Sequence, residues 1–218
     1  MISTIKALLP QALVAQHLRR LGPPYALLTF DDGPHPEVTP QVLDRLDKFD
    51  ARAIFFVIGR RIKRAPHLIS EIVSRGHGVG NHTYLHRRSD VNGRPSLSRF
   101  YLDAKRCQVA LERHGINRAQ VFRPPGGRLT PVTLLVPRLL GMQCVTWSLD
   151  VGDWAFRRNE DVQHGADRLL RSITSGDIVL LHDDNPSLLD LLDIVLPELK
   201  RKGWDLASGV DQLTTNRS

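Results

Sequence analysis

Two adjacent carboxylates, Asp31 and Asp32, are the first residues of this 218-residue chain whose placement suggests chemistry. They stand in Thr29-Phe30-Asp31-Asp32-Gly33-Pro34, directly after the apolar run Ala26-Leu27-Leu28 and directly before a Gly-Pro turn. An apolar run that ends in a turn reads as a buried strand delivering its last residues to a loop. Neighbouring carboxylates repel each other. A cation that takes one relieves the repulsion and leaves the other free to handle protons. Taken alone, Asp-Asp-Gly reads as a solvated turn. Polar sets at the ends of later apolar runs argue against that: His82 and His86, then Arg123, then Asp150 with Asp153 and Trp154, then His182 with Asp183 and Asp184.

Each set suggests a role. His82-Thr83-Tyr84-Leu85-His86 places two imidazoles at i and i+4, one above the other if the segment is helical. With Asp32 they make two imidazoles and a carboxylate, a ligand set that leaves positions open for water and substrate. A divalent ion lowers the pKa of bound water from about 15.7 toward about 7, which gives Asp31 a proton to receive. His182, emerging from Ile178-Val179-Leu180-Leu181, is the candidate for protonating a leaving atom. Asp153 would keep that imidazole charged. Arg123 could hold Asp31 in place and ionised. The stiff Pro124-Pro125 followed by Gly126-Gly127 would present backbone N–H groups where an oxyanion develops.

These residues need a scaffold that brings strand ends together. Strand-like runs at 25–30, 53–58, 78–81, 120–123, 143–149, 177–182 and 204–207 alternate with helical patterns. Thr39 can cap a helix with Pro40 at its first position, and Val42, Leu43 and Leu46 fall at core-facing spacing. Further helical patterns cover 66–75, 96–114, 131–140, 159–174 and 186–202, most of them stopped by glycine. Alternation of this kind implies a parallel sheet with crossover helices, either closed as a βα barrel or open and doubly wound. In both, the carboxyl ends of the strands share one face, where reactive groups collect.

Hydrophobic residues at 41% and charged residues at 24% suit one globular domain of this length. The formal charge is +7, with basic runs at 59–64 and 86–88 that read as solvated surface. They allow peripheral contact with an anionic surface. Few aromatics accompany them and no nucleic-acid motif is present, so no dedicated nucleic-acid site is expected. Cys107 and Cys144 read as reduced, buried thiols. No apolar run reaches the length of a membrane span. Residues 1–10 lack a signal-peptide core and read as a short amphipathic helix. The expected location is therefore the cytoplasm, or outside the cell if a signal has been removed.

The motifs together resemble those of the polysaccharide deacetylases of carbohydrate esterase family 4, the NodB-homology domain. Thr29 to Pro34 is similar to that family's first motif, His82-x-x-x-His86 to its second, and Arg123 to Gly127 to its third. Asp150-Val-Gly-Asp153-Trp154 resembles its fourth and Leu180-Leu181-His182 its fifth, all in the family's order. The resemblance implies a distorted (β/α) barrel of about seven parallel strands, with a helical extension at 1–24, a catalytic domain at 25–213 and a tail at 214–218. It implies one divalent ion, Zn²⁺ or a substitute such as Co²⁺, held by Asp32, His82 and His86. Asp31 would be the base, His182 the acid, Arg123 the group that orients Asp31, and Asp153 the one that tunes His182. Pro125, Gly126, Trp154 and Leu180 would meet the substrate, the last two around the acetyl methyl. The family often has Tyr where this chain has Gly126. The implied activity is hydrolysis of N-acetyl groups on an amino sugar in an oligo- or polysaccharide. O-deacetylation, deformylation of a lipid-linked sugar, and a silent glycan-binding module are the alternatives.

Overall fold

A computed structural model describes residues 13–19, 22–87, 96–116 and 119–214. The strands among the described residues are β1 (Val14–Ala15), β2 (Ala26–Asp31), β3 (Ala53–Val57), β4 (Gly78–Asn81), β5 (Val121–Phe122), β6 (Gln143–Val145), β7 (Leu149–Asp150) and β8 (Asp177–His182). The helices among the described residues are α1 (Val38–Lys48), α2 (Gly59–Ile62), α3 (His67–Ser74), α4 (Leu97–Glu112), α5 (Pro131–Leu139), α6 (Asn159–Ser172), α7 (Ser187–Arg201) and α8 (Asp211–Thr214). One-turn 3₁₀ segments cover Pro125–Gly127 and Asp153–Ala155.

All eight strands pair in parallel, in the order β1-β6-β5-β4-β3-β2-β8-β7. Chain connectivity shows that this sheet is curled. β6 and β7 lie six strand spacings apart along it, about 29 Å if flat. Only residues 146–148 join them, a reach of at most about 14 Å. The ends must therefore approach. Thr146 N–H bonds to Ala15 O on β1 at 2.9 Å, and two residues later Ser148 N–H bonds to Ile178 O on β8 at 3.0 Å. The result is a distorted barrel whose first and last strands face each other across a seam.

Strand periodicity divides the side chains. Leu27, Ile54, Phe56, Val121, Val145 and Ile178 fill the interior together with Tyr25. The alternate residues Ala26, Leu28, Phe30, Phe55, Val57, Val179 and Leu181 pack outward against the helices. Val210 and Leu213 close the amino end of the barrel from below. Polar groups are thereby confined to the other end. On β2 the inward series runs Leu27, Thr29, Asp31, from apolar floor to polar mouth. Cys107 and Cys144 are buried and not joined in a disulfide, as expected. No helix among the described residues is long and apolar enough to cross a membrane.

Four expectations are corrected. The described part of the 1–24 segment contributes strand β1, because Val14 and Ala15 pair with Cys144 and Val145 instead of coiling; residues 1–12 and 215–218 lie outside the described residues. The run 143–149 is two strands on opposite sides of the seam, since Thr146 and Ser148 turn the chain across it. The run 204–207 gives one bridge, Asp205 to Tyr25, because Asp205 caps a turn with its carboxylate on the Ala207 and Ser208 N–H groups. Thr39 does not cap α1, which begins at Val38; its hydroxyl instead accepts from His35 N–H and donates to Asp183.

His77, at the amino end of β4, supplies a test of the core. Its ring packs edge-on to Phe55, and its Nδ1 accepts from Ala53 N–H at 3.2 Å. Burial pushes its pKa down to about 4 from 6.5. The unfolded chain takes a proton near 6.5 and the folded one only near 4, so folding stability is lost as pH falls between those values. Urea unfolding should show up to about 3 kcal/mol of such loss, and His77→Gln, although less stable at pH 7.5, should have a shallower slope across that window.

Candidate active site

The mouth of the barrel is built around one buried guanidinium. Arg123 follows β5 and is fully buried. Its Nη1 donates to Asp31 Oδ1 at 2.7 Å and to Thr29 Oγ1 at 2.8 Å, its Nη2 to Thr146 O at 2.9 Å, and its Nε to Val145 O at 3.4 Å. The Phe56 ring stacks 4.1 Å from its Cζ. A charge buried this deeply persists only when paired and hydrogen-bonded. The Asp31 carboxylate is thereby fixed by one oxygen, while Oδ2 turns toward His82 Nε2 at 3.6 Å.

Arg123 also reaches the second motif through its backbone. Its carbonyl accepts from His82 Nδ1–H at 2.7 Å, which fixes the tautomer and leaves the His82 Nε2 lone pair free. That nitrogen lies 3.6 Å from Asp32 Oδ1, and His86 Nε2 lies 3.2 Å from the same oxygen. Four-coordinate ligands about 2.0–2.1 Å from a zinc-sized ion stand about 3.3 Å apart, so these spacings fit a shared dication. Asp32 Oδ1 is buried and has no hydrogen-bond partner, as expected of an atom reserved for a metal. Ligand atoms of Asp32, His82 and His86 all lie within 4.8 Å of one another. Burial alone would raise the Asp32 pKa, yet His82, His86, His182 and Arg61 hold it below the usual carboxylate value.

The two histidines meet by a route that helical spacing misses. Residues 82–86 form a loop, with Thr83 at φ 61° and His86 at φ 54°. Asp32 is also left-handed at φ 73°. Side chains rarely adopt such backbone, and its concentration here is the kind of local strain that functional sites hold. Surrounding bonds maintain it: Asn81 Oδ1 accepts from Thr83 N–H at 2.9 Å, and Thr83 Oγ1 accepts from His86 N–H at 3.1 Å. Gly33, next to Asp32, tolerates no side chain, because a Cβ would stand 2.3 Å from both Asp183 carboxylate oxygens.

A second pair occupies the adjoining strand. Asp31 and His182 are register partners on β2 and β8, neighbours at about 4.8 Å spacing. Asp153, in the turn after β7, accepts from His182 Nδ1–H at 2.9 Å and from His182 N–H at 2.7 Å. Burial alone would lower the His182 pKa. The Asp153 hydrogen bond and charge, with Asp31 and Asp32 nearby, push it up to about 9. Leu180 lies two residues back on the same inward face and is buried; Pro125 is buried, Gly126 is exposed in the left-handed region at φ 63°, and Trp154 stands at the rim, 58% exposed.

Three contributors were not given roles by the sequence reading. Thr29 Oγ1 accepts from Arg123 and donates to Val179 O at 2.6 Å. Asn185 Nδ2 donates to Asp153 O at 2.8 Å, and its place just after His182 was the available signal. Arg61, inside a run expected to be solvated surface, instead donates to Asp32 O at 2.6 Å and to Asp184 Oδ2 at 2.8 Å.

Comparison with known proteins comes to the same place. The family model described as Polysaccharide deacetylase matches residues 19–145. A peptidoglycan-N-acetylglucosamine deacetylase of Bacillus cereus is 38% identical over 182 residues, covering 81% of this chain and 82% of that protein. A chitooligosaccharide deacetylase of Sinorhizobium fredii is 38% identical over 170 residues, covering 76% and 74%. The structure of peptidoglycan deacetylase PdaC from Bacillus subtilis superposes with a TM-score of 0.75 at 28% identity, covering 84% of this chain and 87% of that one.

Two outcomes are expected from this geometry. Arg123→Met should cost about 3–5 kcal/mol in denaturant unfolding, because it strands Asp31 as an unpaired buried charge. Stoichiometric Co²⁺ should raise the thermal midpoint and give a ligand-field spectrum, and His86→Ala should weaken both effects by an order of magnitude or more, read by titration.

Proposed function

As a member of the polysaccharide deacetylase family this chain is a carbohydrate N-deacetylase, and we propose that it removes acetyl groups from an N-acetyl amino sugar of an oligo- or polysaccharide by cation-assisted hydrolysis. The supporting observation is that Asp31, Asp32, His82, His86, Arg123, Asp153 and His182, scattered from position 31 to position 182, meet at one end of one barrel. Asp32, His82 and His86 would hold a divalent ion, most simply Zn²⁺ with Co²⁺ as a substitute. When bound, that ion supplies Lewis acidity and acidifies a water.

The chain's own residues divide the proton work. Arg123 fixes Asp31 Oδ1 by a hydrogen bond of 2.7 Å, which leaves Oδ2 to accept the proton of the attacking water. Pro125 has no N–H and the Gly127 N–H is bonded to Pro124 O at 2.8 Å, so the Gly126 N–H is the donor of this turn that would meet the oxyanion as the carbonyl becomes tetrahedral. His182 has its Nδ1 committed to Asp153, so Nε2 is the nitrogen left to protonate the departing amine. The C–N bond then breaks and releases acetate and the free amino sugar. Leu180 gives the acetyl methyl an apolar wall. Trp154, with its ring open at the rim, would stack on a sugar face, and Pro125 and Gly126 would bound the opposite side.

The test is acetate release from N-acetylglucosamine oligomers, with and without chelator. Asp31→Asn should lower kcat by roughly 10²–10⁴ while metal content stays stoichiometric. Asp153→Asn should move the alkaline limb of kcat/KM down by at least about one pH unit, because His182 loses the Asp153 charge that helps raise its pKa. Undiminished turnover after verified metal removal, or full activity of Asp31→Asn, would refute the mechanism.

A further inference from the structure

A basic pocket adjoins the reaction centre on α2. That helix starts two residues after β3 and is stitched to both ligand loops. Ile58 N–H bonds to Gly33 O at 2.9 Å, Gly59 N–H to Thr83 O at 3.0 Å, and Arg60 N–H to Tyr84 O at 3.1 Å. Its register is therefore tied to the Asp32 and His82–His86 loops. Arg60, Arg61 and Arg64 line a cavity of about 140 Å³, the size for a compact group and not for a sugar ring.

The charge balance there is unequal. Arg61 is three-quarters buried and held by Asp184 and Asp32 O. Arg60 and Arg64 have no ion pair among the described residues. Arg60 and Arg64 are exposed, so water screens part of the repulsion among the three guanidinium groups, and an anion entering the space would offset the positive charge that one carboxylate leaves uncompensated. Guanidinium forks match the two-oxygen geometry of carboxylate and phosphate. With Arg61 locked to the carbonyl of Asp32, an anion held in that cavity is also held at a set distance from the acetamide under attack.

We propose that Arg60, Arg61 and Arg64 form an oxyanion-binding subsite beside the reaction centre, which receives a carboxylate or phosphate substituent on a sugar neighbouring the one that is deacetylated. This rests on the deacetylase reading above. It makes the preferred substrate an acidic glycan and gives the chain's net positive charge a local purpose.

The experiment compares three tetramers on the metal-loaded protein: neutral N-acetylglucosamine, the same backbone with lactyl carboxylates on alternate sugars, and the same backbone with a phosphate monoester. Acetate release is followed at low and high salt. At least one acidic tetramer should exceed the neutral one in kcat/KM by roughly tenfold at low salt, a gap that narrows as salt rises. Whichever acidic tetramer leads identifies the substituent. In the double variant Arg60→Gln/Arg64→Gln the acidic-to-neutral ratio should fall toward one, whereas Arg138→Gln, on the exposed side of α5, should leave it unchanged. Binding to the metal-loaded Asp31→Asn protein, read by calorimetry, should show the same preference and lose it with the same double substitution. Equal kcat/KM for all three tetramers overturns the subsite and leaves the deacetylase standing. Release from none overturns the deacetylase reading, and calorimetry then decides the subsite: tighter binding of an acidic tetramer, lost in the double variant, supports it, and its absence ends it. Inorganic phosphate binding as tightly as the acidic tetramers overturns the glycan assignment.

Discussion

The ion pair between Arg123 and Asp31 is the constraint from which the rest of the mouth follows. Arg123 works from both of its ends. Its side chain holds the Asp31 carboxylate, and its carbonyl holds His82 in the tautomer that leaves Nε2 free. A displacement of this one residue would therefore disturb Asp31 and His82 together. Its burial makes the arrangement stiff. Every acceptor it uses is either the Asp31 carboxylate, the Thr29 hydroxyl, or a carbonyl at the end of β6, and Phe56 covers its face. The cost of desolvating the guanidinium is offset only if all of these stay in place, so the barrel end acts as one unit.

Around that anchor, similar carboxylates are set to different tasks by their surroundings. Asp31 faces a permanent cation. Asp32 lies among histidines with an unpartnered oxygen. Asp153 is buried against one imidazole, and burial raises its own pKa while its charge raises that of His182. Asp183, sealed beneath Gly33, is pushed up to about 7 by burial and by the charges of Asp184 and Asp32. Four aspartates at one barrel end thus occupy four different electrostatic settings: beside a guanidinium, among histidines, against one imidazole, and sealed under a glycine. Environment, not residue type, makes the distinction.

Much of this was legible in the chain. Apolar runs that end in polar residues located β2, β4 and β8 and put Asp31, Asp32, His82 and His182 at one end of the sheet. The parts that were not legible depend on backbone geometry and long-range closure. The His82–His86 spacing looks helical in one dimension, whereas the left-handed Thr83 and His86 bring the rings together by a tight loop. Residues 143–149 look like one strand because the turn across the seam is made by Thr146, Trp147 and Ser148, which carry no glycine or proline to announce it. Val14 and Ala15 are too short a run to signal a strand and become one only because β6 offers an edge. Arg61 reads as surface because nothing local reveals that Asp184, 123 positions away, will meet it.

The seam has an evolutionary corollary. The carbonyls of Val145 and Thr146 receive Arg123 at the very point where three residues leap from one margin of the sheet to the other. Lengthening that leap by a single residue would shift the acceptors and unmoor the guanidinium. Indels should therefore be scarce at 146–148 among diverging sequences.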